Sequence, residues 1–125
     1  MIYASQHLAM SAYERFIHVP KPIPPGLHFV KFGIRFCNLA ILHKGISDLP
    51  PEWRREPAPP STKALGDAWI KGLKTAILAV PSVLIPEETN FLINPAHPDF
   101  SQVQFAPAMS FEFDPRLAHL AVAGS

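Results

Sequence analysis

Residues 75–82 read Thr75-Ala76-Ile77-Leu78-Ala79-Val80-Pro81-Ser82. Thr75 to Val80 forms a continuous apolar run of strand length, which predicts a buried strand. Pro81-Ser82 stands just past its end, where ligand sites commonly form. Working outward, Phe91-Leu92-Ile93 is a second short strand stopped by Asn94-Pro95. Val103 with Phe105, and Met109 with Phe111 and Phe113, alternate as two further strands. Upstream, Val30, Phe32, Ile34 and Phe36 alternate with Lys31, Gly33 and Arg35, the period of one half-buried strand. Strands and helices mix without a regular βαβ rhythm. The expected class is α+β.

Two helices complete this outline. Met1 to Ala4 reads as the end of a strand, and Ser5 is placed to cap a helix from about Gln6 to Ile17. Leu8, Ala12 and Phe16 form one stripe of it and Met10, Tyr13 and Ile17 a second, so it is expected to be central. Ser61 or Thr62 opens the other helix. Ala64, Leu65, Ala68, Trp69 and Gly72 share one face, and Asp67 and Lys71 make a favourable i,i+4 pair. Asn38 to Pro60 is expected to be loop with one short helical turn. Fifteen prolines cluster between the elements. The domain is expected to span residues 1–120, with 121–125 a disordered tail.

Composition narrows the functions available. With 48% hydrophobic and 17% charged residues, the chain is too apolar to be a disordered tail. Eleven basic and ten acidic residues leave a formal charge of +1, without the basic field that a phosphate-backbone binder needs. Direct nucleic-acid binding is therefore not expected. Cys37 is alone, which excludes an intrachain disulfide and a cysteine-based zinc site. Met1-Ile2-Tyr3-Ala4-Ser5 does not read as a signal peptide, and no apolar run approaches the ~20 residues that cross a bilayer. The expected compartment is the cytoplasm.

Two side chains stand out for chemistry. Glu14 has Met10, Ser11, Ile17 and His18 as its helical neighbours and no Lys or Arg among them. One reading is a partly exposed glutamate bonded to His18; the other is a carboxylate held in a cleft to stabilise positive charge. Ser82 lies at a strand end, although Pro-Ser is also ordinary turn chemistry, and no Gly-x-Ser-x-Gly surrounds it. His97 and Asp99 are close in sequence, but no second pair stands at ligand spacing, so no metal is expected. Trp53, Arg54 and Arg55 are flanked by Glu52 and Glu56, which suggests a solvated, salt-bridged turn. There is no glycine-rich phosphate loop.

Four ordered stretches together resemble the RES-domain toxin family. They are Ile2-Tyr3-Ala4-Ser5, Ala12-Tyr13-Glu14-Arg15-Phe16-Ile17-His18, Val80-Pro81-Ser82-Val83-Leu84-Ile85-Pro86 and Asn90-Phe91-Leu92-Ile93-Asn94-Pro95-Ala96-His97-Pro98. Leu49-Pro50-Pro51-Glu52-Trp53 and the stretch from Thr62 to Trp69 resemble the family's middle section. The resemblance implies an ADP-ribosyltransferase-like fold and cleavage of NAD at the nicotinamide–ribose bond, by hydrolysis or phosphorolysis. NAD is then substrate, and no cofactor is implied. By the same resemblance Glu14 is the family's glutamate, Ser82 its serine, bonding the ribose or nicotinamide end, and Tyr3 a tyrosine lining the pocket. The family's arginine belongs to a Gly-Arg-Trp segment upstream of Tyr3. Arg15, Arg35 and Arg54 do not stand in that context, so the chain is expected to lack the family's first segment. The implied partners are an antitoxin with a helix-turn-helix part, through which any DNA contact is indirect, and a second copy in a homodimer. The alternative is an inactive remnant that only binds a protein partner.

Overall fold

A computed structural model describes residues 1–120; the expected tail, 121–125, lies outside the described residues. Strand β1 (Ile2–Ser5) leads into helix α1 (Leu8–His18), followed by the short strands β2 (Phe29–Lys31), β3 (Ile34–Arg35) and β4 (Ile41–His43). A 3-10 turn (Ile46–Asp48) precedes helix α2 (Pro60–Gly72) and strands β5 (Ile77–Pro81) and β6 (Thr89–Ile93). A second 3-10 helix (Pro98–Gln102), strands β7 (Gln104–Phe105) and β8 (Met109–Phe111) and a last helical turn, α3 (Pro115–Ala118), complete the order. The class is α+β, as its sequence implies.

The apolar run around Ile77 forms the middle of the main sheet, whose order is β1-β6-β5-β4. β6 pairs antiparallel with both β1 and β5, and β4 runs parallel to β5. The register sets Ile2, Ile93, Ile77 and Ile41 opposite one another across all four strands. Because side chains alternate faces along a strand, this row shares one face. Ile34, Phe36, Leu39, Phe91 and Phe100 pack onto that cluster. Two ribbons, β2-β8 and β3-β7, lie beyond the sheet. Phe113 joins the β2-β8 ribbon to α1, its ring centroid 5.0 Å from Phe29, 5.1 Å from Phe111 and 5.6 Å from Phe16.

Several local expectations are corrected. Ser5 does not cap α1. It remains in β1, where Gln6 N–H donating to the Thr89 carbonyl prolongs the ladder, and His7 takes the cap position without a side-chain bond. α1 is not central either. Met10 is buried, but Leu8, Tyr13 and Ile17 are exposed, so the helix covers one flank of the sheet. The alternation from Val30 to Phe36 breaks at Gly33, because its two halves pair with different partners, β8 and β7. Val30 and Phe32 are consequently exposed while Ile34 and Phe36 turn inward. β4 falls within the stretch expected to be loop, because a strand of three residues carries no measurable period.

The polar surface is sparsely bridged. Among the described residues Asp114–Arg116 is the ion pair between charged side chains, His7 bonds Glu88 at 3.1 Å, and the expected Asp67–Lys71 pair does not close. Lys71 and Asp67 both lie exposed on α2, where solvent screens such pairs. The Arg116 guanidinium holds the Asp114 carboxyl below the usual carboxylate range, and the Ser61 hydroxyl does the same for Glu52. Their small contribution to stability is present at neutral pH and is lost as pH falls through those lowered values.

Candidate functional site

On the sheet face opposite the isoleucine row, Ser5, Asn90 and Val80 stand side by side in register. α1 lies across this face, and Glu14, one turn after the buried Met10, points the same way. Its Oε1 accepts two hydrogen bonds of 2.8 Å, one from the Ser82 hydroxyl and one from the Asn90 side-chain amide. The Asn90 carbonyl oxygen accepts in turn from the Ser5 hydroxyl at 3.1 Å. Four polar side chains from β1, α1, β6 and the end of β5 thus form one connected chain. Of the two readings open for Glu14, the bond to His18 is not made; the carboxylate is held by the sheet.

Ser82 is fully buried. Its hydroxyl donates to Glu14 and accepts from the backbone N–H groups of Leu84 at 3.2 Å and Ile85 at 3.3 Å. A hydroxyl has one proton and two lone pairs, so all its capacity is used within the protein. The loop that supplies those N–H groups is itself pinned: Arg54 donates from Nε to the Val83 carbonyl at 2.8 Å and from Nη2 to the Leu84 carbonyl at 3.3 Å. This replaces the expected salt-bridged turn around Trp53. Trp53 is buried, Glu52 accepts from Ser61, and Arg54 turns to the Ser82 loop. Ser82→Ala is expected to lower unfolding free energy by about 1–3 kcal/mol, since it strands two N–H groups and one carboxylate bond. Urea unfolding followed by circular dichroism measures this.

The second motif-rich segment is structural. Asn94, buried at the end of β6, donates to the Ile70 carbonyl at 3.3 Å and accepts from the Ala96 N–H at 3.0 Å. It ties α2 to the turn after β6. The His97 ring accepts from the Asp99 N–H at 2.9 Å and starts the second 3-10 helix.

Tyr3 shares the face of β1 that carries Ser5 but is not part of the polar chain. It is 73% exposed and forms part of the wall of a groove of about 860 Å³. Ser5, the α1 stripe Leu8, Ser11, Ala12 and Arg15, and the aromatic residues Phe29, Phe36 and Phe91 also line it. Glu14 and Ser82 do not border this groove. Ser5 is the residue common to the groove and the polar chain. Of the other arginines, Arg15 lies 5.8 Å from the Phe29 ring centroid and Arg35 is exposed on β3.

A model of the RES domain family matches residues 1–114. The chain belongs to that family. This RES domain is 34% identical over 119 residues to the Prs ADP-ribosylating toxin of Sphingobium sp. (strain YBL2), covering 94% of this chain and 74% of that protein. It is 32% identical over 117 residues to Toxin Res of Yersinia enterocolitica, covering 93% of this chain and 76% of that protein. With Toxin Res of Pseudomonas putida it shares 36% identity over 118 residues, which is 92% of this chain and 76% of that protein. The mixed sheet flanked by helices is consistent with the ADP-ribosyltransferase-like fold expected of a RES domain. No helix among the described residues is long and apolar enough to cross a membrane.

Sequence reasoning named Glu14 and Ser82 and missed two of the four linked residues. Asn90 stands within a family-like stretch without a local sign of its role, and Ser5 has the sequence context of a helix cap. A polar residue opening a strand otherwise as apolar as Phe91-Leu92-Ile93 is the signal by which Asn90 could have been found.

Proposed function

We propose that this RES domain is the toxin of a toxin–antitoxin pair and acts on NAD at the nicotinamide–ribose bond. The observation that carries this reading is the Glu14 carboxylate, fixed by Ser82 and Asn90 on one oxygen in a chain whose relatives are named as toxins. Nicotinamide departs with the bonding electron pair and leaves positive charge on the ribose. A fixed carboxylate beside that carbon stabilises the developing cation, as in glycoside cleavage. Glu14 has this role. Ser82 positions the carboxylate instead of touching the ribose, and Tyr3 holds the substrate from the groove side.

The cation is then captured. Water yields ADP-ribose, and inorganic phosphate yields ADP-ribose 1″-phosphate. The name of the Sphingobium relative favours a third acceptor, a protein side chain. All three share the first step. The activity would be restrained by an antitoxin with a helix-turn-helix part, and the domain would work as a homodimer in the cytoplasm.

The test is to incubate the purified chain with NAD, with and without phosphate, and to separate the products chromatographically. Release of free nicotinamide is expected, and the companion product identifies the acceptor. Intact NAD in both buffers and in the presence of a host cell extract would overturn the reading.

A further inference from the structure

We infer that Asn90 and Ser5 are positioning residues for Glu14, which orient its carboxylate so that one oxygen alone faces the reacting ribose. This rests on the function proposed above. Oε1 of Glu14 accepts from both Ser82 and Asn90 at 2.8 Å, whereas Oε2 has no hydrogen-bond partner among the described residues. Among the described residues the buried side-chain polar atom without a partner is the Thr62 hydroxyl, so Oε2 is not sealed in the interior. One oxygen is anchored and the other is open. Two donors on one oxygen stop the carboxylate from rotating, and rotation would average the charge away from the reacting carbon.

Asn90 can anchor the carboxylate only with its NH2 group turned toward Glu14. The opposite orientation would set its carbonyl oxygen against Oε1, two acceptors without a proton between them. The Glu14 carboxylate, which can only accept, sets this orientation, and the Ser5 hydroxyl then holds the amide in place by donating to its carbonyl at 3.1 Å. The pairing of β1 with β6 places Ser5 directly opposite Asn90, so this bond is built into the register of the sheet. Ser5 therefore acts through Asn90, and Asn90 through Glu14. Neither residue need touch the substrate.

The experiment uses NAD-consumption kinetics of the full chain and four variants, with circular dichroism as the folding control. Asn90→Ala is expected to lower kcat by about 10- to 100-fold, the scale of one hydrogen bond to a charged group, with KM within about threefold of wild type. Asn90→Asp, which replaces the donor by a second carboxylate, should fall further. Ser5→Ala is expected to lose about tenfold in kcat, and Ser5→Thr, which keeps the hydroxyl in a side chain suited to a strand, should recover most of it. Should Asn90→Ala fail to fold, the Ser5 pair decides alone, because its contrast is one hydroxyl. Folded variants with wild-type kcat, or a raised KM with kcat unchanged, would overturn the inference while leaving the proposed reaction standing. A wild-type chain that releases no nicotinamide would remove both.

Discussion

Glu14→Gln is expected to reduce nicotinamide release by about 10²–10³-fold while leaving the fold intact. Two unit charges about 4 Å apart at an effective dielectric near 20 attract by roughly 4 kcal/mol, which corresponds to about 10³ in rate. The ribose cation is only partly developed in the transition state, so the lower part of the range is included. Glutamine has the size of glutamate, and its amide oxygen can still accept from Ser82 and Asn90, the two donors that hold Oε1. The substitution therefore removes charge and retains geometry. Activity should collapse at an unchanged urea midpoint, and induced expression in a bacterial host should no longer arrest growth. Wild-type turnover by Glu14→Gln would mean that the carboxylate is a structural tie between α1 and the sheet. Loss of activity together with loss of fold would say the same.

The contrast with Ser82→Ala separates two kinds of contribution. Glu14 is half-buried with one open oxygen, whereas Ser82 is fully enclosed and saturated by protein partners. Removing the serine should therefore cost stability and reduce turnover through a looser carboxylate. Removing the charge should cost turnover alone.

How far the site could be read in advance follows from what each residue depends on. The run from Ala76 to Ala79 was legible because burial on both faces leaves no polar positions, and these four residues are all buried. Glu14 and Ser82 were legible through the resemblance, and the local pattern around Glu14 suggested only His18 as its partner. Its real partners lie 68 and 76 residues away. Only the order of strands brings β6 and the end of β5 under α1. Ser5 was misread for a related reason. A serine before a helix is a good cap when nothing competes, but here a cross-strand asparagine lies within reach of its hydroxyl. The split at Gly33 is hidden because strand period does not reveal a change of partner, and the partner residues lie far downstream, Phe105 for Ile34 and Ser110 for Val30.

Ile77→Ala should lower the unfolding free energy by about 2–5 kcal/mol, the scale of a fully buried aliphatic truncation. Ile77 is completely buried and sits between Ile93 and Ile41 in the row that crosses all four strands. A domain of this size has roughly 5–15 kcal/mol in total, so the variant would be only marginally folded at 37 °C. Ile77→Val removes one methyl group and should cost about 0.5–1.5 kcal/mol. Val30→Ala, at a position 63% exposed, should stay within about 0.5 kcal/mol of wild type. Urea midpoints of the three variants give the order directly, and an Ile77→Ala loss below that of Val30→Ala would place the core elsewhere. The functional consequence follows from chain continuity. β5 passes from Ile77 through Pro81 straight to Ser82, whose hydroxyl holds Glu14. A cavity at Ile77 would loosen the strand that delivers Ser82, so turnover should fall even under conditions where the variant remains folded, whereas in Ile77→Val it should stay near wild type.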